Sequence, residues 1–170
     1  MIKDIIICII QFLILLLCQV LILNNVYFLG FINPMIYIWF ILMLPFATPK
    51  WLVLIVSFIL GMSVDILSND VGINAFTCVF IGFLRPIILN IFSGNIDNNS
   101  FLRPCAASLG FKNFLFYTMT LVAIHHLLYF TIEVFSFAEI VQILLRTLLS
   151  SIVTILCIVL FDMICFRKSQ

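Results

Sequence analysis

Charge is the scarcest property of this chain. Only 9% of its 170 residues are Asp, Glu, Lys or Arg, where a soluble globular domain carries about 25%, and its mean hydropathy is +1.35. That excludes a water-soluble globule and leaves an integral membrane protein. Basic clusters are missing as well: none exceeds the pair Arg167-Lys168, so nucleic-acid binding has no electrostatic footprint. The six cysteines form no Cys-x-x-Cys or other zinc spacing, and most lie in apolar runs, where a free thiol behaves as a small hydrophobe. No His-x-x-x-His, Gly-x-Ser-x-Gly, phosphate-binding loop or carboxylate pair beside a nucleophile occurs. Neither an enzyme, a metal nor a cofactor is expected.

What is present is a succession of apolar runs. They predict an all-α integral membrane protein, a single polytopic domain over residues 1–170 with about six helices, at 5–23, 34–46, 51–67, 73–89, 113–132 and 137–166. The first run lacks an Ala-x-Ala cleavage pattern and is expected to be retained as a helix rather than removed as a signal peptide. Gln11 and Gln19 fall on one face of it, which should meet protein rather than lipid. The second helix should begin near Pro34, after an irregular outer segment, and is short because Pro45 and Pro49 close it. The one long polar stretch, 92–112, reads as a cytoplasmic loop with turn chemistry.

Orientation follows from positive charge. With the amino terminus cytoplasmic, Lys3, Lys50, Arg85, Arg103, Lys112, Arg167 and Lys168 all fall on the cytoplasmic side, and the outer turns carry no Lys or Arg. Both termini are then expected inside.

Polar function is most economically placed in Gly61 to Phe76, where two carboxylates, two glycines and two asparagines lie between apolar runs. Ser57, Gly61 and Asp65 are spaced by four on the third helix, and Asn74, Cys78 and Gly82 repeat that spacing on the fourth. Such small-residue rows permit close helix approach, either with each other or against a third helix. Gly72 lies in the polar turn between them.

Arg146 is the remaining intramembrane charge. At a helix centre it would cost roughly 2.5 to 3.5 kcal/mol, but Leu148 to Phe166 alone spans about 28 Å at ~1.5 Å per residue, which places Arg146 near the outer boundary. Asp65 reaches about the same depth, so the two are expected to pair across the bundle, the alternative being that both snorkel to headgroups. The stripe Glu139, Gln142, Arg146, Ser150, Thr154 and Cys157 should face protein; helix–helix hydrogen bonding is its plain reading and the wall of a solute cavity the other. Asp162 can offset Arg85 or Arg167. On the fifth helix His126, Tyr129 and Glu133 share a face, with His125 beside them, and read as packing and interfacial anchoring rather than a proton relay or metal site.

Pro45 and Pro49 closing a short second helix, then Gly61-x-x-x-Asp65, a polar turn and Gly72-x-Asn74-Ala75, resemble the rod shape-determining membrane protein family MreD. Length, six spans and the near absence of soluble loops agree, so the resemblance covers most of the chain; its motifs occupy about Pro45 to Arg85. It implies a non-enzymatic inner-membrane scaffold of the cell-wall elongation complex that helps maintain cell shape. The implied direct partner is MreC, with MreB, RodA and a penicillin-binding transpeptidase in the wider complex. The implied fold is similar to the six-helix substrate-binding subunits of energy-coupling-factor transporters. The motif residues Gly61, Asp65, Gly72 and Asn74 are expected to shape the hairpin of the third and fourth helices, and with Ser57, Gly82 and Arg146 they are the structural or partner-binding candidates. A vitamin-type solute-binding transporter subunit is the alternative, for which Asp65, Arg146 and the polar stripe would have to line an outer cavity.

Overall fold

The structure, a computed structural model, describes residues 2–25, 32–94, 102–135 and 139–166. Among these it is all-helical: α1 (Ile2–Leu21), a 3-10 turn (Leu23–Asn25), α2 (Ile38–Leu42), α3 (Lys50–Ser68), α4 (Ile73–Phe92), α5 (Ala106–Leu109), α6 (Phe111–Val134) and α7 (Ile140–Phe166). Four helices, α3, α4, α6 and α7, are long and apolar enough to cross a membrane, and Ile6–Leu21 of α1 is a shorter apolar helix. Leu148, Ile152, Leu156 and Leu160 on α7 and Ile55, Phe58, Ile59 and Met62 on α3 are exposed, while Ser57, Thr118, His125, His126 and Thr154 are buried. Apolar residues outside and polar ones inside is the arrangement lipid selects, because helices in a bilayer gain from polar and small-residue contacts rather than from hiding hydrocarbon.

The second expected helix requires correction. Instead of a helix over 34–46, the chain makes the five-residue α2 inside a longer non-helical segment. Met35 to Leu44 are all 7% exposed or less, so this run is apolar because protein surrounds it, not because lipid does. A backbone with so few internal bonds survives at membrane depth only if other groups satisfy it, and here side chains from four helices do so. Gln19 on α1 donates to the Pro34 carbonyl (3.1 Å) and accepts from the Ile36 N–H (2.9 Å). On α7, Ser150 accepts from Asn33 N–H (3.0 Å) and Thr154 from Met35 N–H (3.1 Å). At the far end Tyr117 of α6 donates to the Leu42 carbonyl (3.1 Å) and Arg85 of α4 to the Leu44 carbonyl. Arg85, counted from sequence as a cation of the cytoplasmic edge, is therefore a buried ligand of the α2 carboxyl end, at 2% exposure.

Gln19→Leu is accordingly expected to destabilise the fold by about 2 kcal/mol, since it strips partners from a buried N–H and a buried carbonyl. Thermal unfolding in mild detergent reads this out; an unchanged midpoint would show that the segment is held without Gln19.

The remaining elements follow their local chemistry. Pro49, with φ −63° and ψ 142°, starts α3, and Asn69 ends it in the left-handed region at φ 58°. In the expected loop, Ala106 donates to Asp162 of α7 (3.1 Å) and Arg103 donates to Gln11 of α1. Asp162 thus binds the start of α5, not Arg85. Residues 26–31 of the expected irregular outer segment, residues 95–101 of the expected loop 92–112, and Arg167 and Lys168 lie outside the described residues.

Candidate functional site

α3 and α4 make the most extensive helix pair, and the two small-residue rows face each other across it. A Cβ at Gly61 would stand 2.5 Å from Ala75 Cα and 2.5 Å from the Asn74 carbonyl oxygen, and one at Gly82 would stand 2.6 Å from Ser57 Oγ. The absence of side chains at these two positions is what lets the backbones approach.

Asp65 fixes both ends of the hairpin. Its backbone carbonyl accepts from the Asp70 N–H (2.9 Å), closing α3, and its carboxylate accepts from the N–H of Asn74 (3.1 Å) and of Ala75 (2.8 Å), opening α4. No N-cap side chain of the usual kind is present, because Gly72, at φ 87°, occupies that position. The carboxylate of Asp65, seven residues before Gly72, does the work, aided by the positive end of the α4 dipole.

Asn74 is the hub. Its Nδ2 donates to Asp65 Oδ1 (2.9 Å) and to Asp70 Oδ2 (3.0 Å), and its Oδ1 accepts from the Tyr37 hydroxyl (2.7 Å). Both amide donors and the acceptor are used, which fixes the orientation of the side chain. The Tyr37 hydroxyl lies 3.2 Å from His125 Nε2, and His126 bridges the Val122 carbonyl (2.9 Å) and Thr154 Oγ1 (3.3 Å). Both histidines are fully buried. They pack in the interior network around α2 rather than anchoring at the interface, the two roles that the sequence reading joined.

The pairing of Asp65 with Arg146 also requires correction. Arg146 Nη1 stands 3.6 Å from Glu133 Oε2, with the two side chains 26% and 39% exposed. Asp65 is 2% exposed and faces the α4 amino end. Three backbone and amide donors, at 3.1, 2.9 and 2.8 Å, satisfy its oxygens better than a guanidinium at the rim could. Among the stripe residues, Ser150 and Thr154 bind the buried segment, while Glu139 is exposed.

Beside this network, at the end of the bundle carrying the 69–72 turn, lies a cavity of about 480 Å³. Gln19, Asn24, Ser68, Tyr37 and Asn74 line it together with Asp70, Tyr129, Phe130, Glu133 and Arg146. Much of the wall is pre-ordered: Gln19 donates to Asn24 Oδ1 (2.8 Å) and Asn24 to Ser68 Oγ (2.7 Å). Burial pushes the Asp70 carboxyl above its usual range and the charge of Asp65 adds to this, while the Asn74 hydrogen bond opposes it. Ser57, Gly61 and Gly82 lie away from this cavity, in the helix interface; Asn74 and Arg146 line it, and Asp65 stands behind Asn74. Tyr37, Gln19 and Asn24 were not singled out as cavity residues from sequence, and no spacing joins them. Among the described residues no group of three His, Cys, Asp or Glu is placed to hold a metal ion.

A second groove, about 1060 Å³ and almost wholly apolar, runs between α1, the 40–49 segment and α3, lined by Ile9, Phe12, Leu13, Phe40, Leu52, Val56 and Ile59, with Arg103 also in its wall. Comparison with protein-family models, with curated proteins and with solved structures finds no match.

Proposed function

We propose that the chain is a non-enzymatic membrane scaffold of the bacterial cell-wall elongation complex, a multi-pass protein of the inner membrane with both termini cytoplasmic, whose direct partner is MreC. The observation that carries this reading is that the residues bearing the MreD resemblance form one connected device. Pro49 starts α3, Gly61 sets the distance to α4, and Asp65, Gly72 and Asn74 lock the turn. Such a hairpin is a rigid surface rather than a reactive centre. The apolar groove beside it, bounded by α1 and α3, offers an apolar membrane helix a bed of side chains at lipid depth. In this reading α1 is a fifth span, and the expected sixth is replaced by the buried segment around α2.

The test is co-purification in mild detergent with the MreC of the same organism, beside a variant carrying Leu13→Trp and Ile59→Trp in the groove. Capture lost only in the variant supports both the scaffold and the groove. Capture by both forms keeps the scaffold and moves its interface elsewhere. Well-folded wild type that captures nothing overturns the reading.

A second reading, a vitamin-type solute-binding subunit of a membrane transporter, is favoured by one observation, the polar cavity of about 480 Å³. A small molecule released from the purified protein and identified by mass spectrometry would favour it over the scaffold.

A further inference from the structure

The cavity is distinctive in its charge. Among the described residues that line it, the cavity has two carboxylates, Asp70 and Glu133, and a single cation, Arg146, with the carboxylate of Asp65 behind Asn74. Asp65 is consumed by the α4 amino end. Of the carboxylates in the cavity wall, Glu133 meets Arg146 at 3.6 Å, longer than the roughly 2.7–2.9 Å of a tight charge-assisted bond. Asp70 accepts from Asn74 through Oδ2. One guanidinium against two carboxylates leaves the wall with an uncompensated negative charge, and both carboxylates, Asp70 and Glu133, line the same cavity.

Low-dielectric protein and hydrocarbon around the cavity weaken screening, so this imbalance is costly when no cation occupies it. Aromatic surface is placed beside it: Tyr129 and Phe130 line the cavity, with ring centroids 5.5 Å apart in an edge arrangement. Aromatic side chains in the same wall as carboxylates favour an organic cation, which gains from the ring quadrupole as well as from the charge. The volume suits a compact solute, since sites for small molecules run from about 300 to 1,000 Å³. The floor is ordered in advance, because the Asn74 amide is fixed by Asp65, Asp70 and Tyr37.

We propose that this cavity is a binding site for a small organic ammonium ion, held by the carboxylates of Asp70 and Glu133 against the Tyr129–Phe130 wall. The ammonium donates to both carboxylates and offsets their uncompensated charge, and Arg146, 3.6 Å from Glu133 Oε2, helps hold Glu133 in the cavity wall. The site goes beyond the scaffold reading, and it gives the solute-binding reading its chemical class while resting on the cavity alone.

Three probes of one shape test it by calorimetry on the full chain in mild detergent: tyramine as the cation, its alcohol 4-hydroxyphenylethanol as the neutral form, and 4-hydroxyphenylpropionate as the anion. Tyramine is expected to bind at least about tenfold more tightly than either of the others. The double variant Asp70→Asn and Glu133→Gln, which keeps size and hydrogen-bonding capacity, should lose that preference while its melting temperature stays near wild type. If the variant melts early, Glu133→Gln alone, at the exposed rim, should still weaken tyramine by a few fold. Equal affinity for the three probes, preference for the anion, no binding at all, or a preference that survives the double variant would each overturn the proposal. Failure to capture MreC bears on the scaffold and leaves this site untouched.

Discussion

Gly61→Ala is expected to be among the most damaging single-methyl changes in the protein, lowering stability by about 3 kcal/mol or more. The added carbon would lie 2.5 Å from Ala75 Cα, 2.5 Å from the Asn74 carbonyl oxygen and 2.7 Å from Ala75 N. All three obstacles are backbone, so no rotamer change relieves them and α3 must move away from α4. That movement would lengthen the bonds from Asp65 to Asn74 and Ala75, which begin one turn further along. Gly82→Ala is the natural control. Its nearest obstacle is Ser57 Oγ at 2.6 Å, followed by Ser57 Cβ at 3.2 Å, and that buried hydroxyl has no hydrogen-bond partner among the described residues. The cost there should be about 1 kcal/mol, and Ser57→Ala should recover most of it. No side-chain truncation should rescue Gly61→Ala. Unfolding midpoints in detergent for the four variants decide the matter, and a Gly61→Ala protein with the wild-type midpoint would falsify the close-approach account.

Much of the hairpin was legible in the sequence because its cause is local. A spacing of four puts Ser57, Gly61 and Asp65 on one helix face whatever else surrounds them, and proline and glycine mark where α3 and α4 begin. The segment around α2 was not legible as a buried element, because an apolar run reports only that water is absent. Lipid and protein both satisfy that condition. Its length was a signal: thirteen residues, 34–46, are too few for a full span and fit a buried helix or re-entrant piece better. Arg146 was assigned the wrong carboxylate for a related reason. Depth along a helix can be counted from sequence, but the rotation of one helix about another cannot, and depth alone did not separate Asp65 from Glu133. The donors that claim Asp65 are mostly backbone N–H groups, which leave no mark in a side-chain pattern. For His125 and His126 depth along α6 does not separate packing from interfacial anchoring, because their burial depends on the α2 segment, whose path leaves no pattern in the sequence.

Asp65→Ala should cost about 3–5 kcal/mol, because two buried backbone donors and one amide donor lose their acceptor together. Asn74 and Ala75 are both buried, so water cannot readily replace the carboxylate. Asp65→Asn should fall closer to alanine than to wild type: one amide oxygen still accepts, but the new NH2 group meets donors, and donor against donor is repulsive. The damage should also spread to Tyr37, whose hydroxyl depends on the orientation that Asp65 gives Asn74. A cycle combining Asp65→Ala with Tyr37→Phe is therefore expected to show coupling of about 0.5 kcal/mol or more, although the two side chains share no direct hydrogen bond. Charge reversal separates this arrangement from an ion pair with Arg146. Asp65→Arg would place a cation against the positive end of α4, and adding Arg146→Asp would leave that conflict in place, so the double variant should be no more stable than Asp65→Arg alone. Exchanging Glu133 and Arg146 for one another, in contrast, should change stability by less than about 1 kcal/mol, since that pair lies at a partly exposed rim. Recovery of the Asp65→Arg protein by Arg146→Asp would mean that the carboxylate holds the guanidinium and not the helix.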